Sequence, residues 1–163
     1  MLSNSVQENH KQYSRPCKLL AVSSGGGHWV QMMRIKQAFD DCAVTFVTVH
    51  DSYRAEVPNH KFYVVNDSNL RAKFELLKTA YRVARIVLTE RPDIVISTGA
   101  APGYFALRLG RLLGARTIWL DSIANVEQLS ISGSKIGRFA DLWLTQWPHL
   151  ARPEGPHYAG SVL

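Results

Sequence analysis

The stretch Leu19 to Val30, LLAVSSGGGHWV, constrains this chain more than any other. An apolar, β-prone run ends in two serines, three consecutive glycines let the backbone turn sharply, and His28 opens a segment with helical spacing. A strand, a tight turn and a helix start in that order point to an α/β architecture. The first N–H groups of a helix lack intrahelical partners and carry partial positive charge. Ser24, Gly25, Gly26 and Gly27 therefore admit an anionic group to close range, with His28 at the rim.

The rest of the chain repeats the alternation. Strands are predicted at Lys18 to Ser23, Val44 to Val49, His60 to Val65, Asp93 to Thr98, Ala115 to Leu120 and Leu142 to Gln146. Between them, helices are predicted at Trp29 to Phe39, from the cap residues Asn66 to Asn69 as far as Glu90, at Tyr104 to Leu113 and around Lys135 to Ala140. In the first helix Val30, Met33 and Ala38 are the inward candidates. Residues 1–16 are polar and aperiodic and read as a flexible leader, and 17–163 as a single domain. The expected fold is a Rossmann-like parallel sheet with helices on both faces, in which ligands bind outside the carboxyl ends of the strands. Three such ends carry informative residues: Ser24 to His28, Thr98 to Gly103, and Asp121 to Asn125.

The long helix has two legible sides at about 100° per residue. Leu70, Phe74, Leu77, Tyr81, Ala84 and Leu88 share one, which reads as packing against the sheet. Arg71, Lys78, Arg82 and Arg85 form a neighbouring basic stripe, either a solvated face or a surface that rests on anionic lipid. A formal net charge of +6 on 163 residues favours anionic partners without choosing among them. Cys17 and Cys42 form no CxxC pair, which suits a reducing, cytoplasmic setting. No apolar run reaches the roughly 18 to 20 residues of a membrane span, and the N-terminus has no signal-peptide core.

Several function classes are disfavoured by spacing. After Gly25 and Gly27, position 30 is Val30, so the dinucleotide fingerprint lacks its third glycine, and no Gly-Lys-Ser/Thr follows to make a P-loop. The histidines show no metal-ligand spacing, no GxSxG elbow is present, and the basic residues lack the aromatic interleaving of a nucleic-acid module. Deprotonating an acceptor hydroxyl needs an imidazole or carboxylate within reach, and His28 and Asp121 are the candidates. Each also has a plain structural reading, His28 as a packed helix-start residue and Asp121 as a cap.

Taken together, SSGGGHWVQMMRI, the stretch from DIVISTGAAPGYF to LTQWPHL, and the terminal HYAGSVL resemble the N-terminal half of inverting glycosyltransferases of the GT-B type. The resemblance is in particular to the split members. These are the acceptor-side subunit of the eukaryotic transferase that adds the second N-acetylglucosamine to a dolichyl-diphosphate sugar, and its bacterial relatives in capsule and exopolysaccharide synthesis. It implies an acceptor-binding, membrane-recruiting subunit on the cytoplasmic face of the membrane, active only with a donor-binding partner that holds most of the UDP-sugar. It implies no catalytic metal and no cofactor beyond that donor. By resemblance His28 and Asp121 are catalytic, as base or as base and orienting group. Ser24, Gly25, Gly26, Gly27, Thr98, Gly99, Gly103, Ser122 and Asn125 hold a polyprenyl-diphosphate-linked acceptor, and Arg71, Lys78, Arg82 and Arg85 meet the anionic membrane surface. The eukaryotic members carry an N-terminal anchor, whereas Met1 to Pro16 is polar, which favours a peripheral, bacterial-type member. A non-catalytic scaffold for a competent partner and a stand-alone nucleotide-binding domain remain alternatives.

Overall fold

A computed structural model describes residues 15–67 and 73–162. Strands β1 (Cys17–Val22), β2 (Cys42–Thr48), β3 (Lys61–Val64), β4 (Ile94–Ser97), β5 (Arg116–Leu120), β6 (Leu142–Thr145) and β7 (His157–Tyr158) form one sheet. Every neighbouring pair is parallel, in the order β3-β2-β1-β4-β5-β6-β7. The chain winds outward from β1 in one direction, then returns to start again at β4. The switch point between β1 and β4 is where such sheets leave a crevice at their carboxyl edge. The two-residue β7 is an addition to the six expected strands.

The strand residues alternate between two cores, as a period of two requires. Leu20 and Val22 of β1 pack with Val47, Val95 and Trp119 beneath helices α2 (Lys73–Glu90), α3 (Ala100–Leu112) and α4 (Ile131–Ile136). Leu19 and Ala21 point the other way, with Phe46, Phe62 and Ile96, beneath α1 (Gly27–Arg34) and the short 3-10 helices Lys36–Phe39 and Asp51–Glu56. Among the described residues this second face is covered only over β1 to β3. Over β4 to β6 an apolar groove of about 430 Å³ stays open, floored by Ile94, Ile118, Leu142 and Leu144 and edged by Phe39 and by Ala159 to Val162.

Two expected faces are corrected. In α1 it is Trp29 and Met32 that are fully buried, while Val30 is 50% exposed, Ala38 is exposed and Met33 is half-buried. In α2 the buried residues are Thr79, Val83, Ile86, Val87 and Glu90. Phe74, Leu77, Tyr81 and Leu88, read as core, are 82%, 67%, 64% and 58% exposed. The side of α2 that packs on the sheet is thus the β-branched one, with Val83, Ile86 and Val87 in the same core as Leu20, Val95 and Leu107. Leu70 and Arg71 lie outside the described residues.

Candidate functional site

The glycine turn sits at the switch point. Gly26 has φ +62, a conformation that favours glycine, and caps α1 without any side-chain cap. Its own N–H donates to Tyr53 Oη at 2.9 Å and its carbonyl accepts from Val30 N, so the amides of Gly27, His28 and Trp29 are left without intrahelical acceptors. Gly26 and Gly27 are exposed. Across the switch point, Gly99 (φ +140) caps α3, again with no side-chain cap. A Cβ at Gly99 would overlap the His28 ring, which therefore lies directly against this second turn.

His28 is gripped from both sides by one residue. Its Nδ1 lies 2.8 Å from the Thr98 carbonyl, and its own carbonyl accepts from Thr98 Oγ1 at 2.7 Å. A carbonyl can only accept, so Nδ1 carries the proton and Nε2 presents a lone pair. Among the described residues Nε2 has no hydrogen-bond partner. The result is an imidazole of fixed orientation between two helix N-termini. Thr98 is itself fully buried, so its hydroxyl positions His28 rather than meeting a ligand.

Asp121 is differently placed. It is 1% exposed and its carboxylate accepts four hydrogen bonds. The donors are Trp119 Nε1 at 3.2 Å, Ser130 Oγ at 2.6 Å, Ser130 N at 3.1 Å and Asn125 Nδ2 at 3.1 Å. Ser130 Oγ in turn accepts from Gly133 N and caps α4. No lone pair is left over for an acceptor hydroxyl, and the partner of the His28 ring is Thr98, not Asp121. The expectation that Asp121 is the base, or orients it, is thus corrected: it is the anchor of the β5–α4 turn. Asn125 and Ser122 belong to the same turn, Asn125 through its bond to Asp121 and Ser122 by accepting from Ala124 N. Gly103 is buried where α3 crosses β4, and a Cβ there would overlap Ser97. It serves close packing rather than ligand binding.

The sequence reading missed two buried glutamines that tie the edge together. Gln31 donates to the carbonyls of Leu120 and Asp121 and accepts from Ile123 N. Gln146 donates to the same Asp121 carbonyl and accepts from Val162 N. Gln31 lies three residues after His28, one helical step away, which was the available signal. His50 and Tyr53 were also missed as neighbours of the turn: a Cβ at Gly25 would overlap the His50 ring. Among the described residues no cluster of three or more His, Cys, Asp or Glu is gathered as a metal site.

At the amino edge of the sheet, ionisation is shifted by structural networks. Burial pushes the Glu90 carboxyl up, but hydrogen bonds from Tyr63 and Lys61 and the charges of Lys61 and Lys18 hold it below its usual range. The Tyr63 phenol, bonded to Glu90 and partly buried, is raised. Asp141 is likewise raised by burial yet held low overall by Thr117 and Arg111.

A doubly wound half-sheet whose carboxyl edge carries an open glycine turn and a clamped histidine belongs with the GT-B architecture. Its fold is similar to Acinetobacter baumannii MurG, with TM-score 0.72 at 16% identity, over 90% of this chain and 46% of that one. The UDP-GlcNAc 2-epimerase of Methanocaldococcus jannaschii is similar too, with TM-score 0.61 at 13% identity, over 78% of this chain and 39% of that one. The chain belongs to the family described as oligosaccharide biosynthesis protein Alg14 like, whose model matches residues 50–162. It is 28% identical to the UDP-N-acetylglucosamine transferase subunit ALG14 of Eremothecium gossypii, over 84% of this chain and 75% of that protein. The mouse subunit of the same name is 26% identical over 82% of this chain and 76% of that protein. The Yarrowia lipolytica subunit is 34% identical, but over only 41% of this chain and 34% of that protein. The chain thus spans about a third to three quarters of these relatives, and under half of the solved structures.

Proposed function

We propose that this chain is the acceptor-binding subunit of a two-part inverting glycosyltransferase that works on a polyprenyl-diphosphate-linked sugar at the cytoplasmic surface of a membrane. The observation that carries the reading is His28, locked by Thr98 with Nε2 open between two uncapped helix N-termini. The backbone amides at Gly27 and His28, with the Ser24 to Gly27 turn, suit an anionic diphosphate. Nε2 takes the proton of the acceptor hydroxyl while its oxygen bonds to the anomeric carbon of the donor sugar. The bond from that carbon to the nucleotide diphosphate breaks on the opposite side, which inverts the centre.

The names of the relatives support UDP-N-acetylglucosamine as donor and a subunit role. A donor-binding partner then supplies the other wall of the cleft, and the apolar groove over β4 to β6 offers it a footing. Capsule or exopolysaccharide assembly is the proposed setting. The test is to assay the chain alone, the candidate donor subunit alone, and the mixture, with UDP-GlcNAc and a short-chain prenyl-diphosphate sugar. Transfer is expected only from the mixture, and loss of transfer with intact complex in His28→Ala. Full activity of the donor subunit alone, or of the His28→Ala complex, would establish a scaffold instead.

A further inference from the structure

The chain has two cysteines, Cys17 and Cys42, and the sheet sets them side by side. They open the parallel strands β1 and β2 and are register partners, each the other's direct neighbour across the ladder. With a period of two, Cys17 shares a face with Leu19 and Ala21, and Cys42 with Val44 and Phe46. Those four apolar residues lie in one core cluster, so both thiols project from the same face of the sheet. Both are free and half-buried. From this juxtaposition we infer that Cys17 and Cys42 form a two-sulfur site for a soft, thiophilic metal ion such as Cu(I). The pair lies at the strand starts, the edge opposite His28, so the inference stands apart from the proposed transfer chemistry.

Geometry favours a bridging ion over a disulfide. Paired strands run about 4.7–4.9 Å apart, and in-register side chains on one face leave the backbone at about that spacing. A disulfide draws its two Cβ atoms to about 3.8 Å, so closing one here requires the strands to pinch together. An ion between the sulfurs adds a centre and two bonds to the span, and the strands keep their spacing. The Cys17 thiol already shares a hydrogen bond with Cys42, so the two sulfurs meet. Burial, the adjacent Cys42 and the Asp93 carboxylate push the Cys17 thiol up, with Arg15 a smaller opposing charge. A protonated thiol is a poor nucleophile toward oxidants, whereas a coordinated cation strips the proton outright.

The ligand count selects the ion. Among the described residues no third His, Cys, Asp or Glu is gathered with the pair. The Asp93 carboxylate is committed to Arg15 Nη2 at 3.0 Å and to Lys18 N at 2.9 Å. Structural zinc takes four ligands and calcium or magnesium takes oxygen, whereas soft Cu(I) is satisfied by two thiolates. Access is open from two sides. Cys17 lines a hollow of about 750 Å³ with Asp93 and Arg116, and Cys42 lines the apolar groove over β4 to β6. On binding, two S–H bonds break, two S–Cu bonds form and both protons pass to solvent, with no change of oxidation state.

The experiment is anaerobic titration of the full chain with Cu(I), against a chromogenic Cu(I) chelator as competitor. Wild type is expected to take up one equivalent and to lose both titratable thiols. At a hundredfold excess of free ion over Kd its thermal midpoint should rise by about 5–10 °C. Cys17→Ser and Cys42→Ser should each weaken binding on the order of a hundredfold, because a lone thiol lacks the second sulfur's high effective concentration. A wild-type chain that takes up no Cu(I), or keeps both thiols titratable at saturation, overturns the inference. So does affinity that persists in both variants, which assigns the ion elsewhere in the chain. A parallel arm replaces Cu(I) with diamide. Loss of two hydrogens by mass in that arm, with no Cu(I) uptake in the first, makes the pair a redox couple instead. Should a variant fail to fold, seen by circular dichroism, the wild-type uptake and thiol count still decide.

Discussion

His28 and Asp121 both follow strands at the carboxyl edge, and the fold puts them to opposite uses. His28 is half-buried, tied through one nitrogen and open at the other, while Asp121 is 1% exposed with four donors on its carboxylate. The difference lies in the backbone around them. Beside His28 the turns are glycine, with no side chain to answer the ring. Around Asp121 stand Trp119, Asn125 and Ser130, each with a donor to spend. A polar group at a strand end is available for chemistry only where its neighbours leave it unsatisfied.

The sharpest test of this contrast is His28→Gln, which keeps size and polarity but removes the proposed base. In the mixed system kcat is expected to fall about 10²- to 10⁴-fold with thermal midpoint and complex formation unchanged. A retained rate would erase the distinction. Next in size is Asp121→Ala, which strands the buried Trp119 donor and takes the acceptor from the half-buried Ser130 and Asn125. Denaturant unfolding should show a loss of about 2–4 kcal/mol. Unchanged stability together with abolished turnover would reverse the roles assigned to the two residues. Smallest is Thr98→Val, which deletes the hydroxyl bond to His28 O but keeps the carbonyl that holds the ring. It should cost about 1 kcal/mol of stability and lower kcat by less than about tenfold, with KM unmoved. A KM effect would place Thr98 in ligand binding after all.

The architecture was legible because period-two apolar runs and glycine turns act locally. Six strands and the crossover helices lie close to where the sequence puts them. What escaped was decided at a distance. His157–Tyr158 is too short to show a period and becomes β7 only by pairing with β6. In α2 Phe74, Leu77, Tyr81 and Leu88 mark one apolar side and Val83, Ile86 and Val87 another, and only packing on the sheet decides which is buried. At the site, the glycine turn and His28 were visible from their order in the chain. Thr98, Gly103, Ser122 and Asn125 were read as ligand-binding because they sit at strand ends. Their commitments, to His28, to Ser97 and to the Asp121 turn, are contacts between segments far apart in sequence or close packing of a helix on a strand.

In the second turn Ala100 holds φ +67, a left-handed conformation that costs an L residue about 1–2 kcal/mol. Ser97 Oγ, by donating to Gly99 O and accepting from Gly99 N, helps keep the chain bent there. The turn is therefore a wound spring held shut by the fold, not a loop waiting for a ligand to shape it. The shape of this edge is thus set before anything arrives, so the proposed acceptor would bind with little free energy spent on rearranging the turn.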